Sequence, residues 1–567
     1  MLEKTISTHA CDYDVAVIGL GPTGATLANL LAIEGLRVLV LERDKEIFAL
    51  PRAVHFDGEC MRVFQTLGLT DKLLPKLFVG PGMKFVNGEG KLLIDWQRPT
   101  CIGPQGWSAS YKFHQPDLEN ALRERLAQQS SVDVRLRHEV FALDEASDGV
   151  QLRFEDTCCG KLGRTTARYV VGCDGARSIA RRFMGTELTD LKSHERWVVV
   201  DVLLDAPRPD LGDYSVQYCD PARPTTYTRG PGNRRRWEIM VMPGDDVTQL
   251  TSPEWLWDKL ARWISPADAR LERSAIYTFH SVVANGWRRG RLLLAGDAAH
   301  QTPPFMGQGM GAGIRDASNL AWKLAAVIHG EAPDTLLDSY ESERSPHVRL
   351  FIETAVQLGS VIQTTRSDLA EVRDEEMSAA IRNFVTPQPR LGPGAWIDEP
   401  SGVAGHIAPQ PRLLDGQLVD DVVGYRFALL ARPELLRKCP DVANSAAQAG
   451  VGIVASDGAA VREWLESINA PAVLVRPDRY VYGVAQDGES LQNLLHHAVP
   501  GLQQPKVLWP CEPATPVVTR NVSRSTHVDH RTKNPIIKLE ESWEYPTTRS
   551  AAPTVHSHPA CPRRSGR

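Results

Sequence analysis

No stretch of the chain approaches the ~18 consecutive apolar residues that a membrane span needs, and Met1 to Asp12 contains no apolar core of a signal peptide. Neither feature is expected. The cysteines carry no metal signature: ten are scattered over 567 residues, and the one close pair, Cys158-Cys159, lacks ligand spacing. This speaks against a zinc site or a disulfide scaffold and points to a reduced cytoplasmic protein with incidental thiols. A strong charge of one sign is missing too, since the formal net charge of −5 gives no global reason to expect nucleic acid as a partner. The length allows two or three domains and a large core.

What is present begins with a glycine loop, Gly19-Leu20-Gly21-Pro22-Thr23-Gly24, after the apolar run Val15 to Ile18. Gly19, Gly21 and Gly24 permit a tight turn, close approach of a pyrophosphate and close packing of a following helix, whose first N–H groups face the phosphates. Val38 to Leu41 reads as the next strand and ends in Glu42, placed to accept hydrogen bonds from an adenosine ribose. The pattern predicts a dinucleotide site and leaves NAD and FAD undivided.

Along the chain, the nucleotide motifs fall in 12–180 and 276–386, so an α/β cofactor domain is split by an insertion. Residues 181–275 hold alternating runs such as Trp197 to Val202 and Arg236 to Met242, which predict a sheet with one buried face. A helical stretch and the Pro/Gly-rich 387–394 linker lead to a small α/β module over 395–510. From 520 to 567 the chain is rich in Arg, Ser, Thr and Pro and poor in large apolar groups, so a disordered tail is expected.

Two further motifs divide the cofactors. In 169–182 an apolar strand enters an Asp174-Gly175 turn, with Ser178 and Arg181 beyond it. In 291–324 the strand Leu292 to Ala295 ends at Gly296-Asp297, and Gly307 to Gly313 leads into a helix. A carboxylate at Asp297 can accept a ribityl hydroxyl, and the helix near Gly309 can offer N–H groups to a flavin ring. The three motifs in this order resemble the fingerprint of class A flavoprotein monooxygenases, the para-hydroxybenzoate hydroxylase-like aromatic hydroxylases.

That resemblance implies a Rossmann-type FAD-binding domain with an inserted substrate-binding sheet, a long helical segment and a thioredoxin-like C-terminal module. It implies that Gly19, Gly21 and Gly24 hold the FAD pyrophosphate, that Glu42 and Arg43 meet the adenosine ribose, and that Arg52 approaches flavin and pyrophosphate. Gln115 would lie near the ribityl chain, Asp174 would face FAD and the nicotinamide donor, and Gly296, Asp297, Pro304, Gly309 and Met310 would line the flavin. Where many relatives place Asn after the Gly-Met pair, this chain has Gly311. Within the family, 51–69, 218–224, 240–245 and 474–481 most resemble 3-(3-hydroxyphenyl)propionate hydroxylases, also active on 3-hydroxycinnamate. The implied reaction uses NADH and O2, with NADPH left open, and ortho-hydroxylates a small phenolic acid through a flavin C4a-hydroperoxide. A homodimer is expected on the same ground. The C-terminal module has no Cys-x-x-Cys, which favours packing over redox work.

Such chemistry needs a base near the phenol. Asp57 is the first candidate, in the register where phenol hydroxylases carry an active-site Asp-Gly, and His55 is the second. The competing reading makes Asp57 the cap of a helix over Glu59 to Leu67. For a substrate carboxylate, Arg223, Arg229 and Arg236 are open choices, with Tyr214 and Tyr227 as partners. His280 and Trp287 read equally well as core, His300 as a structural neighbour of the flavin motif, and Arg288-Arg289 with Arg291 as a solvated turn. Three rivals stand beside this reading: a flavin hydroxylase of another phenolic or polyketide ring, a flavoprotein without catalysis, and a plain NAD dehydrogenase.

Overall fold

The computed structural model describes residues 11–47, 52–379, 381–388, 390–398 and 401–498. The 520–567 tail and the end of the 395–510 module lie outside the described residues.

Five strands run parallel in the order Leu292–Leu294, Lys161–Gly172, Tyr13–Ile18, Val38–Glu42, Val132–Leu136. Val15 to Val17 and Val38 to Val40 are fully buried, as unbroken apolar runs in a parallel sheet covered on both faces should be. Helix α1 (Pro22–Ile33) follows the first strand and packs against the long α3 (Gly309–Ile328). Between them in the chain lies α2 (Gly58–Thr66).

A second sheet has nine strands, in the order His300–Gln301, Ala269–Ala284, Leu188–Leu204, Arg234–Met240, Thr225–Arg229, Ser215–Cys219, Gly82–Asn87, Leu92–Gln97, Arg382–Asn383. Its centre comes from the predicted insertion, but Gly82–Asn87 and Leu92–Gln97 come from the first cofactor segment, and His300–Gln301 and Arg382–Asn383 from the second cofactor and helical segment. Pairing of Ser215–Cys219 with Gly82–Asn87 covers an edge that the insertion alone would expose.

A small three-stranded sheet, His55–Phe56, Tyr111–Lys112 and Phe78–Val79, sits between these layers. Side chains alternate across it. Phe56 and Tyr111 turn one way and stack with centroids 5.4 Å apart, so His55, Lys112 and Phe78, paired across the strands, share the opposite face.

In the C-terminal module, Ala428–Ala431 pairs in parallel with Gly452–Ala455 and antiparallel with Ala472–Val475, which Val481–Ala485 continues. This is the strand order 2-1-3-4 of a thioredoxin-like sheet. Buried ion pairs dock the module: Arg62 to Asp420 at 2.8 Å and Arg476 to Glu343 at 2.8 Å. Among the described residues no helix is long and apolar enough to cross a membrane.

Candidate active site

Strand order brings the three motifs together. Ile18 is in register with Gly172 and Leu41, and Gly172 with Leu294, so Gly19, Asp174, Glu42 and Gly296 leave adjacent strands at the same, carboxyl end. That end is where open parallel sheets bind ligands. Gly19 has φ +99° and its backbone abuts Cys173, whose carbonyl would stand 2.5 Å from any Cβ placed there. Thr23 on α1 wedges against two glycines, since a Cβ at Gly296 or Gly313 would come within 2.7 Å or 2.2 Å of its hydroxyl. The motif glycines thus let α1 and α3 converge on one cleft.

Its walls suit a dinucleotide. A Cβ at Gly21 would meet nothing within 4 Å, and one at Gly309 only Thr302 at 4.0 Å, so the backbone is open there. Neither α1 nor α3 has a side-chain cap at its N-terminus, which leaves first-turn N–H groups for an anion or a carbonyl. Glu42 Oε2 accepts from Leu20 N at 2.7 Å and so leans on the glycine turn, while Arg43 is exposed beside Asp44. Asp174 Oδ2 accepts from Ile179 N at 2.6 Å. Asp297 keeps an exposed surface, yet surrounding protein raises its carboxyl above the ordinary range through desolvation; its exposure is toward a cleft. Pro304, opening the short turn Pro304–Met306, and Met310, at the start of α3, are half-buried.

The Arg52 backbone is clamped from two sides. Gln115 Oε1 accepts from Arg52 N at 2.9 Å and from Ala53 N at 2.8 Å, and Arg236 Nη1 donates to the Arg52 carbonyl at 2.8 Å. Arg236 is itself paired with Asp201 at 2.6 Å.

Asp57 caps α2, which starts at Gly58, and accepts from Cys60 N at 3.2 Å. Its other oxygen meets Arg315 Nη2 at 2.5 Å, and the guanidinium is among the influences that hold the carboxyl well below its usual range. Arg315 also donates to Glu59 at 2.6 Å. A Cβ on residue 311 would lie 2.9 Å from Arg315 Nη1: Gly311, where the family resemblance implies Asn, makes room for this bridge. His55 Nδ1 lies 3.3 Å from the Gly307 carbonyl and Nε2 touches Arg98. Because Arg can only donate, Nε2 accepts and Nδ1–H donates, so the imidazole is neutral; burial first, then Arg98, depresses its protonation.

Of the other residues singled out, Arg223 is paired with Asp245 at 2.6 Å and Arg229 with Asp213 at 2.8 Å. Tyr214 lies under Lys84, and Tyr227 is buried against Trp237. Trp287 is core, whereas His280 is exposed against His194. His300 bonds Asp316 at 2.6 Å, and Asp316 accepts from Gly296 N at 3.0 Å, bracing the Gly-Asp turn. The turn predicted to be solvated is tied down: Arg288 pairs with Asp338 at 2.7 Å, because Asp334 and Asp338 fold over it. A cavity of about 370 Å3 beside that turn, lined by Met184, Glu187 and Arg289, contains none of the expected site residues. Sequence reasoning missed Arg315, Arg98 and Lys112. Only Lys112 carried a local signal, as a lysine inside the apolar run Tyr111-Lys112-Phe113.

The FAD binding domain family matches residues 12–355. A probable NADH-specific resorcinol 4-hydroxylase of Rhodococcus jostii (strain RHA1) is 38% identical over 512 residues, covering 86% of this chain and 94% of the relative. A 3-(3-hydroxy-phenyl)propionate/3-hydroxycinnamic acid hydroxylase of Mycobacterium sp. (strain JLS) is 37% identical over 399 residues, 68% of each chain. In fold, the chain is similar to the flavin-dependent monooxygenase PieE, with a TM-score of 0.75 at 22% identity over 88% of this chain and 100% of that one. With its three motifs gathered at one cleft open to a dinucleotide, the chain belongs to the FAD binding domain family and is an FAD-dependent aromatic-ring monooxygenase.

Proposed function

We propose that the chain uses NADH and O2 to hydroxylate a small meta-substituted phenol ortho to its hydroxyl. 3-(3-Hydroxyphenyl)propionate and 3-hydroxycinnamate, giving 2,3-dihydroxy products, fit that description, and so does resorcinol. The observation that carries the reading is the placement of His55 and Lys112 on one face beside the Gly307 turn of the cofactor cleft, with Arg236 and Glu238 of the large sheet opposite. Bound FAD, reduced by NADH, supplies the activated oxygen. The chain's own residues hold the ring and keep water away.

In this proposal Gly19, Gly21 and Gly24 cradle the pyrophosphate, Glu42 and Arg43 meet the adenosine, and Arg52 is presented by Gln115 and Arg236. Asp174, Gly296, Asp297, Pro304, Gly309 and Met310 frame the flavin. Asp57 serves as helix cap and partner of Arg315, and His55 as a neutral strut between Gly307 and Arg98. The segments 12–180 and 276–386 carry the cofactor domain around the 181–275 insertion and lend Gly82–Asn87, Leu92–Gln97, His300–Gln301 and Arg382–Asn383 to its sheet, with 395–510 as a packing module. A cytoplasmic homodimer belongs to the same proposal; all eight described cysteines are free, as a reducing compartment requires.

One observation favours resorcinol over the propionate. Arg223 and Arg229, two of the cations available for a substrate carboxylate, already hold Asp245 and Asp213. A panel of phenols separates the readings: NADH oxidation, oxygen uptake and catechol formation are measured with resorcinol, 3-(3-hydroxyphenyl)propionate, 3-hydroxycinnamate and larger rings. Stimulation by resorcinol alone removes the propionate, and stimulation by none of the small phenols sinks the proposal.

A further inference from the structure

Both residues suited by position to take the phenol proton are already committed. Asp57 spends its two oxygens on Cys60 N and Arg315, and His55 spends its two nitrogens on Gly307 and Arg98. Lys112 is different. It is 5% exposed, and among the described residues its ammonium makes no hydrogen bond and no ion pair.

The surroundings make this unusual. Lys112 stands directly across the strand pair from His55 and from Phe78, and Gly80 closes over its stem, where a Cβ would lie 3.3 Å from Cε. Arg98, packed on the Trp96 ring at 4.3 Å and bonded to Ser110 at 3.3 Å, adds a second positive charge. From the large sheet Glu238 and Arg236 face it; Glu238 is too far to pair with Lys112 and sits 3.7 Å from Arg236 instead. A buried ammonium without a counter-charge is costly. Burial, then Arg98, brings the lysine down to about 7, within reach of a proton exchange at neutral pH.

We propose that Lys112, with Arg98 beside it, is the group that receives the ionised phenol oxygen of the substrate. A phenol that enters protonated gives its proton to the neutral amine: the O–H bond breaks, an N–H bond forms, and a phenolate–ammonium pair remains with no change in net charge. The electron-rich ring is then held next to the Gly307 turn by a charge pair. This rests on the hydroxylase reading and adds the residue that ionises the substrate.

The test needs no turnover. Resorcinol is bound to oxidised, FAD-loaded enzyme and the phenolate absorbance of the bound ring is followed against pH. Phenols ordinarily ionise near pH 10, and a cation at contact distance lowers that by about 1–3 pH units. The wild type should show that lowering, Lys112→Met should lose most of it with Arg98 keeping the remainder, and Lys112→Arg should restore most of the shift. 3-Phenylpropionate, which has a carboxylate and no hydroxyl, should bind wild type and Lys112→Met within about twofold of each other. Tenfold weaker 3-phenylpropionate binding in Lys112→Met, with bound resorcinol still ionising as in the wild type, makes this a carboxylate site and overturns the proposal. Bound resorcinol that ionises in the wild type as it does in water overturns it even if the variants fail to fold. Absence of resorcinol binding altogether sinks the proposed small-phenol substrate instead.

Discussion

The hydroxyl of Tyr480 donates to Glu59 Oε1 at 2.8 Å, joining the C-terminal module to the helix that follows the His55–Asp57 loop. Glu59 passes the connection on: its other oxygen accepts from Arg315 Nε at 2.6 Å, and Arg315 holds Asp57 at 2.5 Å. Tyr480, Glu59 and Arg315 are all buried, so each link is expensive to leave half-made. The module is therefore coupled to the loop beside the cofactor cleft, although it brings no redox motif of its own.

Tyr480→Phe removes one buried hydrogen bond to a charged group. The expected loss is about 1.5–3 kcal/mol in urea unfolding of the holoenzyme, with FAD still bound and KM for the phenol raised more than kcat is lowered. A variant as stable as the wild type would show that the module does not brace this loop.

Asp57→Asn should retain part of the α2 cap but leave Arg315 with Glu59 as its one remaining carboxylate and Gln308 at 3.5 Å. A destabilisation of about 1.5–3 kcal/mol follows from losing one charged hydrogen bond while Glu59 still offsets the guanidinium. The pH sign is fixed by direction: the folded carboxyl ionises below its ordinary 3.8, so the native state binds fewer protons and the stabilisation is present above that value and lost as pH falls through the folded one. The wild type minus Asp57→Asn difference should shrink in acid, and the ionisation of bound phenol should be the same in both. A shift in that ionisation would return Asp57 to the role of base.

Gly311→Asn introduces the residue that the family resemblance implies, at the cost of space. Its Cβ would stand 2.9 Å from Arg315 Nη1, so the guanidinium must move, and overpacking of this kind costs about 1–3 kcal/mol. Weaker retention of FAD on dialysis and a lower melting temperature are expected. Combining it with Arg315→Lys should cost less than the sum of the two changes.

Lys112 also makes a stability prediction. Its folded value of about 7 lies below the ordinary 10.5, so between those limits the unfolded chain binds more protons and stability climbs with pH. The buried charge is a full burden below the folded value. Lys112→Met should therefore stabilise the holoenzyme by a few kcal/mol at about pH 6, with the gain fading toward about pH 10. Equal gains at both ends would mean that the folded side chain titrates as it does in the unfolded chain, its ionisation unaffected by burial.

Much of the cofactor cleft was legible along the chain because its parts are contiguous. Val15 to Ile18 running into Gly19, and Leu292 to Ala295 running into Gly296-Asp297, each write a buried strand and the turn at its end in neighbouring residues. The nine-stranded sheet was half legible: alternation marked 197–202 and 236–242, but nothing local says that Gly82–Asn87 will pair with Ser215–Cys219. Asp57 could be read as a cap or as a base, and residues three apart could not choose between them.

Local order along the chain thus determined the α/β fold class and a dinucleotide site, since strand periodicity, turn chemistry and helix starts are properties of short segments, and the resemblance of its three motifs to class A flavoprotein monooxygenases implied the cofactor and the family. The fates of individual charges were settled elsewhere. Arg315 meets Asp57 across 258 residues and Tyr480 meets Glu59 across 421, and the same packing that joined them left Lys112 buried with no hydrogen-bond or ion-pair partner among the described residues. Whether a side chain is a strut or a reagent depends on which groups reach it after burial, and those partners come from every part of the chain.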